Sequence, residues 1–236
     1  PLVNKTIAGQ YPPGSTFKMI VAAAAVDSGL INPNQKVHCT GKITLGNHDF
    51  HCWKRHGHGY VNMLESIMHS CDIYFYEIAK KIGIDRIEEM AHKFGLGETY
   101  EYEVPGEKPG LVPSRGWKRA TTGAPWQQGE TLIAGIGQGY LLTTPLQLAV
   151  MTSRLANGGK AVKPRLVRSV GDEGRFGEPA EPIGVSERAL AIAREGMNLV
   201  SNHPRGTAFR ARLNEPGMSL AGKTGTAQVR RITRAE

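Results

Sequence analysis

The sequence lacks what a membrane span, a disulfide scaffold or a nucleic-acid reader would need. Its longest unbroken apolar run, Met19 to Val26, has eight residues, whereas a helix crossing a bilayer takes about twenty. Three cysteines are too few to staple a chain of this size and, being odd in number, cannot all pair with one another. There is no internal repeat and no low-complexity linker, which excludes solenoids and tethered arrays. Acidic residues are scarcer than basic ones, 21 against 29, for a net charge of +8. The basic residues are dispersed, with one loose cluster at Arg205, Arg210, Arg212, Arg230, Arg231 and Arg234. No groove-reading motif accompanies them, so they read as a solvated basic surface suited to work beside an anionic polymer, with no nucleic-acid partner. The chain opens Pro-Leu-Val, without an initiator Met or a signal pattern, so any targeting or anchoring segment is expected outside this numbering.

What is present is ordinary globular material. Apolar residues at 40% and charged residues at 21% argue against disorder, and 236 residues suffice for one large mixed α/β domain spanning 1–236. The Pro12-Pro13-Gly14 turn precedes a buried helix over Ser15 to Ser28. Ile31 to Tyr60 shows no period and reads as an extended loop in need of a staple. Helices are expected over Val61 to Ser70, over Asp72 to Ile82 ending at Gly83, and from an Asp85 cap to just before Gly95. Tyr102 to Gly129, rich in Gly and Pro, reads as a long loop. Thr144-Pro145 opens a helix closing at Asn157-Gly158-Gly159, and Ser186 caps another reaching Ser201. Met218 to Ala221 and Thr226 to Ile232 have strand-like character.

Ser15-Thr16-Phe17-Lys18 places a hydroxyl and an amine three residues apart on one helix face. An amine made less basic by burial or by a second cation can take the hydroxyl proton, giving a serine nucleophile without histidine. Ser70-Cys71-Asp72 follows at a helix junction, and Lys223-Thr224-Gly225-Thr226 later still. Ser-x-x-Lys, a Ser-x-Asn-type element and Lys-Thr-Gly in that order are a known signature of penicillin-binding proteins and class A β-lactamases. Gly217 to Thr224 also satisfies the phosphate-binding pattern of Gly, four residues, Gly-Lys-Thr. That pattern needs a strand before it and a helix from the lysine onward, whereas Leu213-Asn-Glu-Pro216 is a turn and Gly225 continues a helix poorly.

With Tyr11-x-Pro-Gly-Ser-Thr-Phe-Lys18, Asp72-Ile-Tyr-Phe-Tyr76, Gly137-Gln-Gly-Tyr140, Thr144-Pro-Leu-Gln147 and Gly222-Lys-Thr-Gly-Thr-Ala-Gln228, the chain resembles the transpeptidase domain of class B penicillin-binding proteins. Ser-x-Asp in place of Ser-x-Asn, with Trp53-Lys-Arg-His-Gly-His-Gly59, makes it most similar to the elongation-type subgroup, penicillin-binding protein 2. The resemblance implies a five-stranded antiparallel sheet flanked by helices, an α+β fold expected to be incomplete at both ends here. It implies an enzyme in which Ser15 attacks the carbonyl between two terminal D-Ala residues of a peptidoglycan stem peptide. Lys18 would be the base, and Ser70 with Lys223 would pass a proton to the leaving nitrogen. The N–H groups of Ser15 and Thr226 would form an oxyanion hole, and Thr224, Thr226 and Lys223 would hold the substrate carboxylate. Gly225 would keep an edge strand clear for the substrate backbone. Ionised Asp72 only accepts hydrogen bonds, so it is expected to organise the lysines and not to touch substrate.

The same resemblance implies capture by β-lactams, a glycan-polymerising membrane partner, and a place at the periplasmic face of the inner membrane. No cofactor is expected for catalysis. Cys39, Cys52, His58 and Cys71 would suit a structural zinc ion, His58 being favoured over His51 and His56 by its neighbouring glycines; a Cys39–Cys52 disulfide with Cys71 buried is the alternative. The rival functions are a penicillin sensor, a class D-like β-lactamase and a non-catalytic, zinc-stapled basic module.

Overall fold

A computed structural model describes residues 3–101, 103–174 and 179–228. Helix α1 (Lys5–Ala8) leads to a 3-10 turn (Gly14–Phe17) that runs directly into α2 (Lys18–Asp27). Two antiparallel strand pairs follow, β1 (Val37–Cys39) with β4 (Gly59–Val61) and β2 (Lys42–Leu45) with β3 (His48–His51). Then come α3 (Met63–Met68), α4 (Asp72–Ile82), α5 (Ile84–Lys93), α6 (Arg115–Thr122), α7 (Gln128–Ala134) and α8 (Pro145–Ala156). A short pair, β5 (Ser169–Val170) with β6 (Glu173–Gly174), precedes α9 (Glu187–Asn202) and a 3-10 turn (Phe209–Ala211).

Helix α2 is the axis of the core. Its Met-Ile-Val-Ala-Ala-Ala-Ala-Val run is buried on every side, and alanines combine high helix propensity with side chains short enough for neighbours to close in. Helices α4, α5 and α9 pack around it. Glycines permit the closest approaches: a Cβ on Gly196 of α9 would lie 2.6 Å from Ile67 of α3, and one on Gly135 would lie 2.5 Å from the Ala79 Cβ of α4. Thr144-Pro145 does open α8, as a full capping box in which Thr144 Oγ1 accepts from the Gln147 N–H and Gln147 Oε1 accepts from the Thr144 N–H. The Gln147 amide then donates to Glu98 O and Pro109 O, tying down the 98–110 loop.

The mixed α/β class with antiparallel pairing stands, but several local expectations do not. Residues 31–60 are not an irregular loop. The β2–β3 hairpin pairs Lys42 with His51 through Leu45 with His48, around a Gly46-Asn47 turn whose glycine supplies φ +61°. The expected 102–129 loop contains α6, capped by Ser114, and the start of α7, capped by a Gln127–Glu130 box. Helix α5 starts one residue before Asp85, with Gly83 at its cap, and α3 starts only at Met63 because Val61 ends β4. Met218 to Ala221 and Thr226 to Gln228 form no strand; the rest of that second expected strand, like Arg230, Arg231 and Arg234, lies outside the described residues. The described residues hold three two-stranded pairs and not a five-stranded sheet. No helix among them is long and apolar enough to cross a membrane.

Candidate active site

Three separate segments meet at Gly14. The Gly14 N–H donates to Gly137 O at 2.8 Å, a Cβ on Gly137 would lie 2.0 Å from Gly14 O, and one on Gly14 would lie 2.3 Å from Thr226 O. Only residues without a Cβ allow three backbones to touch in this way, and both glycines have positive φ. The Gln138 side-chain amide adds a bond to Thr226 O at 2.9 Å. Ser15 therefore sits half-buried in its 3-10 turn beside the Thr226 backbone. Gly225 lies close by: a Cβ there would meet Thr16 Cγ2 at 2.8 Å and Pro13 O at 3.2 Å, against the Ser15 turn.

Lys18, one turn after Ser15, is wholly buried, with 0% exposure. Its ammonium donates to Asp72 Oδ1 at 2.7 Å, to Ser70 O at 3.0 Å and to Ser70 Oγ at 3.2 Å, and it lies 5.4 Å from the Phe75 ring centre. The other Asp72 oxygen accepts the Trp53 N–H at 2.9 Å. As an acceptor-only carboxylate with both oxygens engaged inside the protein, Asp72 has nothing to offer a substrate carbonyl, itself an acceptor. A pair this deeply buried is costly to break, about 3–5 kcal/mol, because the surviving charge would have no partner. Ser70 adopts φ +54°, a left-handed conformation that costs a residue with a Cβ roughly 1 kcal/mol. The bonds on its carbonyl hold it there and turn its hydroxyl toward both lysines.

Lys223 donates to Ser70 Oγ at 2.8 Å and to Thr224 O at 2.9 Å. Its pKa is pushed down to about 7, first by burial of the ammonium and then by the charge of Lys18, with Asp72 opposing. Thr224 and Thr226 are exposed, and Thr224 Oγ1 shares a hydrogen bond with Thr207 Oγ1 at 2.9 Å. The 218–226 segment hangs on α9 through Gly222 N–H to Met197 O and Asn202 Nδ2 to Leu220 O. Gln138, Thr207, Asn202 and Trp53 all support the site without having been assigned to it from the sequence. Gln138 and Trp53 lie in motifs that do not reveal what their side chains bind, and Thr207 and Asn202 lie in none; Thr207 bonds the Thr224 hydroxyl, and the other three reach backbone carbonyls, which no side-chain pattern encodes.

A second cluster lies directly behind. Cys39 ends β1, Cys52 follows β3, His58 precedes β4 and Cys71 caps α4, and their ligating atoms all lie within 4.8 Å of one another. The three cysteines are free thiols, so the disulfide alternative is not what the structure holds. His58 Nδ1 lies 3.6 Å from Cys39 Sγ and 3.5 Å from Cys52 Sγ. In a zinc tetrahedron with Zn–S near 2.3 Å and Zn–N near 2.05 Å, the S–N edge is about 3.6 Å. Hydrogen bonds from Cys71 and then His58 lower the Cys52 thiol pKa, while Cys71 is raised by its bond to Cys52 and by burial, so one sulfur of the three carries the negative charge most readily. A Cβ on Gly57 would lie 2.0 Å from Cys39 O, and one on Gly41 2.0 Å from Arg55 O, so glycines again allow the loops to close around the cluster.

The sequence model described as the penicillin binding protein transpeptidase domain matches residues 1–233. The chain belongs to the penicillin-binding protein transpeptidase family. Within the family it is of the penicillin-binding protein 2 type. It is 37% identical over 236 residues to the peptidoglycan D,D-transpeptidase MrdA of Escherichia coli K12, an alignment covering 97% of this chain and 37% of that protein. Among solved structures, it matches Pseudomonas aeruginosa PBP2 in complex with WCK 5153 with a TM-score of 0.91 and 41% identity, over 97% of this chain and 53% of that one. It matches a chain from a peptidoglycan synthase complex, solved for the coordination of polymerization and crosslinking, with a TM-score of 0.83 and 35% identity, over 95% of this chain and 38% of that one. The chain thus spans little more than a third of the length of that curated relative.

Proposed function

We propose that this domain is a peptidoglycan D,D-transpeptidase working through a Ser15 acyl-enzyme. The observation that carries the reading is the Ser70 hydroxyl held between two amines, 3.2 Å from Lys18 and 2.8 Å from Lys223. With Lys223 poised near neutrality, a proton can pass from Lys18 through Ser70 Oγ to a neutral Lys223. This leaves an amine on Lys18, three residues after Ser15, and an ammonium on the far side of Ser70. Ser15 Oγ then attacks the carbonyl between the terminal D-Ala residues, its proton going to Lys18. As the amide C–N bond breaks, Lys223 returns a proton through Ser70 to the departing D-Ala nitrogen. The amine of a second stem peptide attacks the ester, its proton goes to Lys223, and Lys18 restores the Ser15 hydroxyl. The Ser15 and Thr226 N–H groups serve the oxyanion, while Thr224, Thr226 and Lys223 take the substrate carboxylate.

The reading is supported by the family match and by relatives that are named D,D-transpeptidases. The relative in a synthase complex supports a glycan-polymerising partner, and with that partner the reading takes in a place at the periplasmic face of the inner membrane. The test is a synthetic stem pentapeptide with an amine acceptor. D-Ala release with formation of the cross-linked product is expected, and both vanish in Ser15→Ala. A penicillin adduct hydrolysed within minutes would indicate a β-lactamase, and an adduct with no peptide turnover would indicate a sensor.

Cys39, Cys52, His58 and Cys71 would hold a structural zinc ion, which when bound neutralises the thiolates and joins the strand-pair loops to the start of α4. Cys71 lies between Ser70 and Asp72, so the cluster braces the segment that holds Lys18. One zinc per chain is expected on elemental analysis, and chelation is expected to lower both the melting temperature and the penicillin acylation rate. A purified, active chain with less than a tenth of an equivalent of zinc would remove the assignment.

A further inference from the structure

Trp53 combines two properties that rarely coincide. The residue is 60% exposed, yet both of its N–H groups are spent inside the site. The peptide N–H donates to Asp72 Oδ2 at 2.9 Å. The indole Nε1–H is shared between Ser70 O and His69 O, each at 3.1 Å. Asp72 and Ser70 O are also two of the acceptors that hold Lys18. A carbonyl oxygen has two lone pairs, and on Ser70 one goes to Lys18 and the other to Trp53.

Resting on the reading of Ser15 as nucleophile, we infer that Trp53 is a positioning residue for the reaction. It touches no reacting atom. It clamps the Ser70–Asp72 segment from the solvent side, keeps Ser70 in its left-handed conformation, and thereby aims the Ser70 hydroxyl between the two lysines. Tryptophan suits the task because the donor must reach from an exposed stretch, Trp53 to His56, across to a backbone carbonyl. Phenylalanine covers nearly the same surface but donates nothing. The family's usual asparagine at position 72 would meet two donors, Lys18 and the Trp53 N–H, with a single oxygen. Aspartate at position 72 thus suits the peptide N–H of residue 53, a bond any residue but proline could supply, and the indole bond to Ser70 O is what tryptophan adds.

The test separates donor from ring. In the full chain, Trp53 is replaced by phenylalanine and, separately, by benzothienylalanine, which keeps the shape of indole and substitutes sulfur for the N–H. Non-covalent affinity for a penicillin and the rate of covalent acylation are measured apart, with melting temperature as a control on folding. The inference expects both variants to acylate roughly five- to tenfold more slowly, the loss of about one hydrogen bond, at unchanged non-covalent affinity. Benzothienylalanine acylating at the wild-type rate would overturn it, as would a loss confined to affinity, which marks direct contact with the ligand. If the wild-type chain itself forms no adduct on Ser15, the reading beneath falls and takes the inference with it. If wild type labels and both variants match it, only the inference fails.

Discussion

Two lysines flank one hydroxyl, and the protein treats them in opposite ways. Lys18 is sealed at the start of α2 against Asp72 at the start of α4, with four-way contact to Asp72, Ser70 and the Phe75 ring. Lys223 is half-exposed on a segment without regular structure, bonded to Ser70 and Thr224, and burial of its ammonium together with the Lys18 charge pushes its pKa to about 7. One amine is fixed in place and the other is tuned in proton affinity. The proposed relay uses both, a fixed ammonium against Ser70 and a second amine that is partly neutral near pH 7.

The comparison is broken most severely at Lys18. Lys18→Met should slow penicillin acylation by roughly two to four orders of magnitude through loss of the base. It should also destabilise the domain by about 3–5 kcal/mol, since Asp72 would remain buried without its partner. Acylation kinetics and denaturant titration check the two effects. Asp72→Asn comes next. Although asparagine is the family's common residue, both oxygens here accept donors, so the amide must turn its NH2 toward either Lys18 or the Trp53 N–H. A loss of about 2–3 kcal/mol is expected, with slower acylation; an asparagine variant as stable and as fast as wild type would show that the two donors do not fix this position.

The mildest test is pH. Because the Lys223 pKa is lowered from 10.5 to about 7 in the folded chain, the unfolded chain binds more protons between those values. The burial penalty is therefore complete below about pH 7 and fades as pH climbs toward 10.5. Stability of wild type relative to Lys223→Met should rise across that window, and wild-type acylation should rise through about pH 7 as neutral Lys223 becomes available. A flat difference would place Lys223 at its ordinary basicity.

The chemistry was more legible than the frame that carries it. Ser15, Lys18, Ser70, Asp72 and Lys223 could be picked out because each motif fixes residue types at short spacing, and their order narrows the alternatives. Their meeting was implied by resemblance, and the glycine contacts at Gly14 and Gly137 supply its physical cause. The four Cys and His residues were found through donor chemistry alone, since their spacing follows no common finger. The strands around them escaped notice because pairs of three or four residues, rich in His and Gly, carry too few alternating apolar positions to show a period. Helix α6 was hidden for a related reason: Pro113 and Gly116 flank the Ser114 cap and read as loop. Strand character at 218–221 was over-read, because an apolar extended segment looks the same whether or not a neighbour pairs with it. Trp53 belongs to a sequence motif, but its role depends on backbone acceptors that no side-chain pattern encodes.

The most direct test is peptide-level mass spectrometry after brief exposure of the folded full chain to a penicillin, with Ser15→Ala alongside. The account predicts one adduct per chain, mapped to the peptide containing Ser15 and absent from the variant. An adduct on another residue, or a folded chain that takes up none, would contradict it.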